Sequence, residues 1–293
     1  MWMADDHDLE NGSSSRIMQV RRSKKAGKRR RIKRQGFRRL RRKDTGALLP
    51  PLQRIAHRGA SGKGLAPENT LAAFEKAIEV GCDAVEIDIH LTADNRVVVI
   101  HDRVVDRTTD GSGPVDTMTL DEIRELSAGG WYDPAFESER IPTLEETLEL
   151  IGWRALLLIE AKTEEAAEKA VSIIRARRAQ SRVVMQSFLG QAVRTVNRLD
   201  SRIPTAFLMT GGEAVLRRRA GVVKRVLKLG ANALALKYTA ATPDLVGMFL
   251  GRAMGMWVWT VDEEEDMREM IEMGVGGIIT NYPDRLNKVL EEL

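Results

Sequence analysis

The chain has 293 residues, 43% of them hydrophobic, enough for one large core or two ordinary ones, so a wholly disordered protein is excluded. The net charge of +4 hides a split: residues 1–50 carry 16 Lys and Arg against 5 Asp and Glu, or +11, which leaves residues 51–293 at −7. The pI of about 9.2 thus describes the head of the chain and is no ground for reading the rest as a nucleic-acid binder. Cys82 is the only cysteine, which excludes an internal disulfide, and no apolar run reaches the roughly 18 residues of a membrane span. A soluble, cytoplasmic protein is expected.

Residues 1–50 begin acidic and Ser-rich, continue as a basic block and end in Pro50-Pro51. Such a segment buries too little apolar surface to offset its ordering entropy, so a disordered basic tail is expected. It reads either as a solubilising extension or as a weak contact for an anionic membrane face or nucleic acid.

From Arg54 onward strand-like and helix-like runs alternate, the signature of a parallel α/β domain over residues 51–293. Strands are predicted at 54–58, 84–91, 97–101, 155–161, 183–188, 204–209, 233–237, 256–261 and 277–280. Helices are predicted at 69–80, 120–127, 143–151, 163–178, 189–199, 213–229, 242–254, 263–273 and 283–292. The length suits a (β/α)8 TIM barrel, typically about 250 residues. Nine strands are one too many; Thr92 to Arg96 is too short for a crossover helix, so 84–101 is either a hairpin or an irregular crossing. Segment 103–140, with Trp131, Tyr132 and Phe136, breaks the rhythm and reads as a small inserted cap.

Chemistry concentrates between Arg54 and Asp102. His57 and His101 each end an apolar strand-like run, and Glu86, Asp88 and His90 share one strand face. Barrel sites lie at strand C-termini, and there Glu160 and Lys162 end the apolar run that starts at Leu156. Buried together, Glu86, Asp88 and Glu160 would repel unless a cation sits among them. An all-carboxylate set suits one hard divalent cation, Mg²⁺ or Ca²⁺, with Mn²⁺ a further candidate, better than zinc. Two imidazoles beside such a set make a metal-assisted acid-base site.

The stretches Ile55-Ala56-His57-Arg58-Gly59-Ala60, Pro67-Glu68-Asn69-Thr70, Val85-Glu86-Ile87-Asp88-Ile89-His90 and Val99-Ile100-His101-Asp102 resemble the glycerophosphodiester phosphodiesterase family. So do Ile159-Glu160-Ala161-Lys162, Gln186-Ser187-Phe188 and Trp259-Thr260-Val261, and the resemblance spans residues 54–288. It implies a TIM barrel that hydrolyses glycerophosphodiesters to sn-glycerol-3-phosphate and an alcohol with a divalent metal. It further implies His57 and His101 as the acid-base pair, Glu86, Asp88 and Glu160 as metal ligands, and Arg58 and Lys162 as phosphate contacts. An alternative on the same residues is lysophospholipase D-type hydrolysis of lysophospholipids.

Among the other positions, Asn69 is expected to cap the first helix, and Glu68 either shapes its entry or contacts the site. His90 is expected in a supporting or rim role. Of Trp257 and Trp259, which share a face, Trp259 is the better candidate to line the substrate pocket. Gly276 stands where the family often has Asp, which removes some local hydrogen bonding.

Overall fold

Eight parallel strands close on themselves because the outer face of each is apolar and is covered by the surrounding helices. The computed structural model describes residues 51–211 and 219–293; the basic segment 1–50 and residues 212–218 of the expected 213–229 helix lie outside the described residues. The strands are β1 (Gln53–His57), β2 (Ala84–Leu91), β3 (Val97–Val99), β4 (Leu156–Ala161), β5 (Val183–Ser187), β6 (Thr205–Met209), β7 (Ala233–Lys237), β8 (Gly255–Trp259) and β9 (Gly277–Thr280). The helices are α1 (Leu71–Glu79), α2 (Leu120–Glu125), α3 (Leu144–Ile151), α4 (Glu164–Ala176), α5 (Gly190–Leu199), α6 (Arg219–Leu229), α7 (Pro243–Leu250), α8 (Glu264–Met273) and α9 (Pro283–Glu291).

Around the ring the order is β1, β2, β4, β5, β6, β7, β8, β9, and β1 pairs in parallel with both β2 and β9, which closes the TIM barrel. The ninth strand is the surplus: β3 pairs antiparallel with β2, with Val99 opposite Ile89, so 84–101 is a hairpin turned through Thr92–Arg96. It is shorter than the expected 97–101, yet the Ile100 N–H still donates to the Asp88 carbonyl at 3.0 Å and carries His101 back to β2.

On β2 the alternation is clean. Val85, Ile87 and Ile89 face outward into the layer that holds Phe74, Leu144 and Ile174, while the barrel interior is filled by Ile55, Leu158, Ala206, Ala235, Trp257 and Ile279. Each fully buried large apolar side chain contributes about 1.5–3 kcal/mol. Gly276 costs the ladder nothing: its N–H donates to the Met256 carbonyl at 2.8 Å and its carbonyl accepts from Gln53 at 3.0 Å.

Residues 103–140 add their own small core, in which Val105, Val115, Ile123 and Ala128 pack on Val98, Ile100 and Ile141. The segment is tied to the loop after β1 by Tyr132, whose hydroxyl donates to the Gly62 carbonyl at 2.7 Å and accepts from the Leu65 N–H at 2.8 Å. Among the described residues no helix is long and apolar enough to cross a membrane.

Candidate active site

Strand periodicity sends Glu86 and Asp88 into the barrel together, and the β2–β4 register sets Asp88 beside Glu160. Ligand oxygens of Glu86, Asp88 and Glu160 lie within 4.8 Å of one another, and all three residues are buried. Burial, then the charge of Asp88, pushes the Glu86 carboxyl well above the ordinary range and that of Glu160 up to about 7. Burial also opposes the charge of Asp88, but Lys162 and Arg58 outweigh it and hold that carboxyl far below the usual range. Lys162 Nζ is 2.6 Å from both Asp88 Oδ1 and Glu160 Oε1.

The donor set fits a hard divalent ion. Gln186, in register with Glu160, donates from Nε2 to Glu86 Oε1 at 3.1 Å, which leaves its own Oε1 buried without a hydrogen-bond partner. Three clustered carboxylates and an orphaned amide oxygen form an all-oxygen nest with too little positive charge. Glu86, Asp88 and Glu160 are the residues that could hold the ion.

His57 ends β1 in register with Glu86. The chain then turns sharply through Arg58 (φ 57°) and Gly59 (φ 83°). A Cβ on Gly59 would come within 2.6 Å of the Ala73 Cβ, so only glycine lets α1 pack against this turn. The turn aims the Arg58 N–H at Glu86 Oε2, 3.1 Å away. His57 Nδ1 lies 2.7 Å from Asn281 Oδ1, and Asn281 donates from Nδ2 to Asp262 Oδ2 at 2.7 Å. That second bond orients the amide, so Asn281 presents only an acceptor to the ring. Neutral His57 therefore carries its hydrogen on Nδ1 and keeps the Nε2 lone pair free. Burial first, then Arg58, brings the imidazole down to about 4.

His101 is held differently. Its Nδ1 is 2.6 Å from a carboxylate oxygen, Asp102 Oδ1, and Asp102 Oδ2 accepts from Arg107 Nε at 2.6 Å. Both terminal nitrogens of Arg107 reach Glu68 at 2.8 Å, and Glu68 Oε1 also accepts from Arg58 Nη1 at 2.8 Å. Burial lowers the His101 imidazole although Asp88 pulls the other way. Asp102 falls to about 2, since the hydrogen bonds from Arg107 and His101 outweigh its burial. Both imidazoles feel the charges of Asp88 and Arg58.

One expectation needs correcting. Asn69 does not cap α1: Thr70 does, accepting from the Ala73 N–H, while Asn69 takes a left-handed φ of 56° and donates from Nδ2 to Asp88 Oδ2 at 3.0 Å. Of the two places open to Glu68, the structure gives it the contact, since it joins Arg58 to Arg107. Asn and Thr are both good caps, so their order alone did not separate them. His90 takes a supporting place, with Nε2 3.1 Å from the His101 carbonyl. Trp259 ends β8, T-shaped against Phe188 with centroids 5.5 Å apart, and its Nε1 donates to the Ala235 carbonyl. Gln186, Asn281, Asp262, Asp102 and Arg107 received no role from sequence; the available signal was a polar residue at or just past a strand end.

Residues 57–285 match the model of the glycerophosphoryl diester phosphodiesterase family. A glycerophosphodiester phosphodiesterase of Caldanaerobacter subterraneus subsp. tengcongensis is 39% identical over 241 residues, 79% of this chain and 95% of that protein. One from Bacillus subtilis is 31% identical over 264 residues, 83% of this chain and 89% of its own length. Among solved structures, an Oleispira antarctica phosphodiesterase in complex with the product sn-glycerol-3-phosphate superposes with a TM-score of 0.76 at 27% identity, covering 83% of this chain and 97% of that one. Matched over this length, the chain belongs to the glycerophosphoryl diester phosphodiesterase family.

Proposed function

We propose that the protein hydrolyses glycerophosphodiesters to sn-glycerol-3-phosphate and an alcohol at the mouth of the barrel, with His57 and His101 as the acid-base pair. The observation that carries this reading is the buried carboxylate cluster with a histidine on either side of it, His57 in register with Glu86 and His101 next to Ile100, whose N–H donates to the Asp88 carbonyl. A phosphodiester is an anion, and attack on it needs its charge offset. Arg58 and Lys162 supply two fixed cations in the half-buried mouth. A divalent ion held by Glu86, Asp88 and Glu160 would add Lewis-acid charge against a phosphate oxygen.

The partners of the two histidines divide the proton work. His57, facing a neutral amide and held down to about 4, is unprotonated at neutral pH and takes the proton of the attacking hydroxyl at Nε2. His101, backed by the Asp102 carboxylate, is the better holder of positive charge and delivers a proton to the departing alkoxide. Each transfer typically contributes roughly 10²- to 10⁴-fold in rate. Residues 103–140 would cover the substrate, and Trp259 with Phe188 would line its path.

The direct test is release of glycerol-3-phosphate from glycerophosphocholine, with and without EDTA, by wild type and His57→Ala. Metal-dependent release abolished by the substitution is expected; no release with Mg²⁺, Ca²⁺ or Mn²⁺ would sink the reading. A second reading, lysophospholipase D-type hydrolysis, has one observation in its favour: Phe188 and Leu189 stay exposed at the end of β5 next to Trp259. Faster turnover of lysophosphatidylcholine than of glycerophosphocholine would decide for it.

A further inference from the structure

Charge in the barrel domain is strongly segregated. Residues 175–228 carry 13 Lys and Arg against 2 Asp and Glu, or +11, inside a domain of −7, so everything else in that domain is −18. Residues 212–218 lie outside the described residues, and the surface is built without them. The remaining cations sit on or just beyond α4, α5 and α6, which pack side by side around the barrel.

Some of these charges are already committed. Arg175 and Arg202 face Asp200, Arg177 faces Glu149, Arg219 pairs with Asp244, and Arg225 lies over the Phe207 ring. Glu164 stands at the opposite, N-terminal end of α4, bound to Gln191 and Thr195. Arg178, Arg194, Arg198, Lys224 and Lys228 are exposed, and among the described residues none of the five makes an ion pair. Arg194 and Arg198 are four apart on α5, and Lys224 and Lys228 four apart on α6. Like charges at that spacing repel on a helix face, so two neighbouring helices each carry an uncompensated pair. An anionic partner would turn that cost into binding.

Exposed apolar groups lie in and beside the same patch. Leu227, between Lys224 and Lys228, is 55% exposed, and Trp153, beside Arg182 at 5.6 Å, is 77% exposed. Cations interleaved with an aliphatic chain and an indole match the boundary between lipid headgroups and acyl chains. Nucleic acid would use the cations and leave Leu227 idle. We propose that this surface docks the protein on an anionic phospholipid membrane.

The geometry sets the orientation. Arg178, Arg198 and Lys228 lie at or just past helix C-termini, which in a βα barrel is the end opposite the strand C-termini and the mouth. Docked this way, the mouth opens toward the aqueous phase, where a deacylated, water-soluble diester is found. The docking surface itself stands on charge and exposure alone, independent of the proposed chemistry.

The test is co-sedimentation of the full chain with vesicles of equal parts phosphatidylglycerol and phosphatidylcholine, against phosphatidylcholine alone, at increasing salt. Wild type should bind only the anionic vesicles and lose binding as salt rises. The double variants Arg194→Glu/Arg198→Glu and Lys224→Glu/Lys228→Glu should each weaken partitioning by about thirtyfold or more. Trp153→Ser should weaken it by a few-fold, and all three should turn over a soluble diester at the wild-type rate. Equal binding to the neutral vesicles, or variants on both helices that bind like wild type, would overturn the proposal. So would salt-sensitive binding to duplex DNA without vesicle binding.

Discussion

Arg107 holds Glu68 through both terminal nitrogens at 2.8 Å while its Nε rests 2.6 Å from Asp102. Because Glu68 also takes Arg58, one guanidinium ties the His101 side of the mouth to the His57 side.

Replacing Arg107 should therefore disturb catalysis without touching the metal ligands. Arg107→Ala is expected to lower kcat by about ten- to a hundredfold, a part of what one proton transfer contributes. Arg107→Lys should recover little, because an ammonium cannot span two carboxylates as the fork does. The sign for stability is fixed by Asp102: its folded value of about 2 lies below the unfolded one of about 3.9. Its contribution is complete above pH 4 and is lost as pH falls toward 2. Acid unfolding of Arg107→Ala should lose that component; a kcat and acid midpoint equal to wild type would remove Arg107 from the site's workings.

The pH profile should report the partner of His57. With the divalent ion kept saturating at every pH, a base near 4 keeps kcat/KM flat down to the acid range, since protonating His57 removes the proton acceptor. The paired swap Asn281→Asp/Asp262→Asn keeps the contact between the two side chains and puts a carboxylate on His57 Nδ1. The acidic limb should then rise by about one to three pH units, and an unmoved limb would mean that His57 is not the base.

Metal and proton compete for the same oxygens. Because burial and Asp88 raise the carboxyls of Glu86 and Glu160, binding of a divalent ion must release protons, so affinity should climb as pH rises through about 7. A hundredfold excess of ion over Kd should stabilise the wild type by about 2.7 kcal/mol. Glu86→Gln should lose that gain, yet be no less stable than wild type in EDTA, because a buried repulsion is gone. Thermal melts with and without Mg²⁺, Ca²⁺ or Mn²⁺ read both outcomes; identical responses in the two proteins would exclude Glu86 as a ligand.

Tyr132 anchors segment 103–140 to the loop that carries Arg58. Tyr132→Phe removes the hydroxyl that both groups share and leaves the Leu65 N–H and the Gly62 carbonyl only their 3.0 Å bond to each other, at a cost of about 1 kcal/mol. The melting temperature should drop by a few degrees and amide exchange should speed up across 59–66. If exchange rises only within 103–140, the anchor does not stiffen the site.

The acids and imidazoles were legible because charge inside an apolar strand is costly, and Glu86, Asp88 and Glu160 interrupt runs that otherwise read as core. Barrel architecture was legible from the alternation, though the count of nine strands became eight plus a hairpin only once β3 was seen antiparallel to β2. Asn281 was not legible: it meets His57 across 224 residues, and a polar residue after a strand is ordinary. Gln186 belongs to a stretch that resembles the family, but its orphaned oxygen appears only when β5 lies against β4. Asn69 was misread because its backbone takes a conformation that local pattern does not announce.

The contact between His57 and Asn281 joins the first strand of the ring to the segment that follows the last, and β1 pairs with β9 only at closure. A chain still emerging from the ribosome can thus hold Glu86, Asp88 and Glu160, both imidazoles, Arg58 and Lys162, and still lack the amide that orients His57. Turnover would begin late in synthesis, with the final strand, and would serve as a kinetic reporter of ring closure. No fragment lacking either end of the barrel should hydrolyse a diester until the missing piece is supplied in trans.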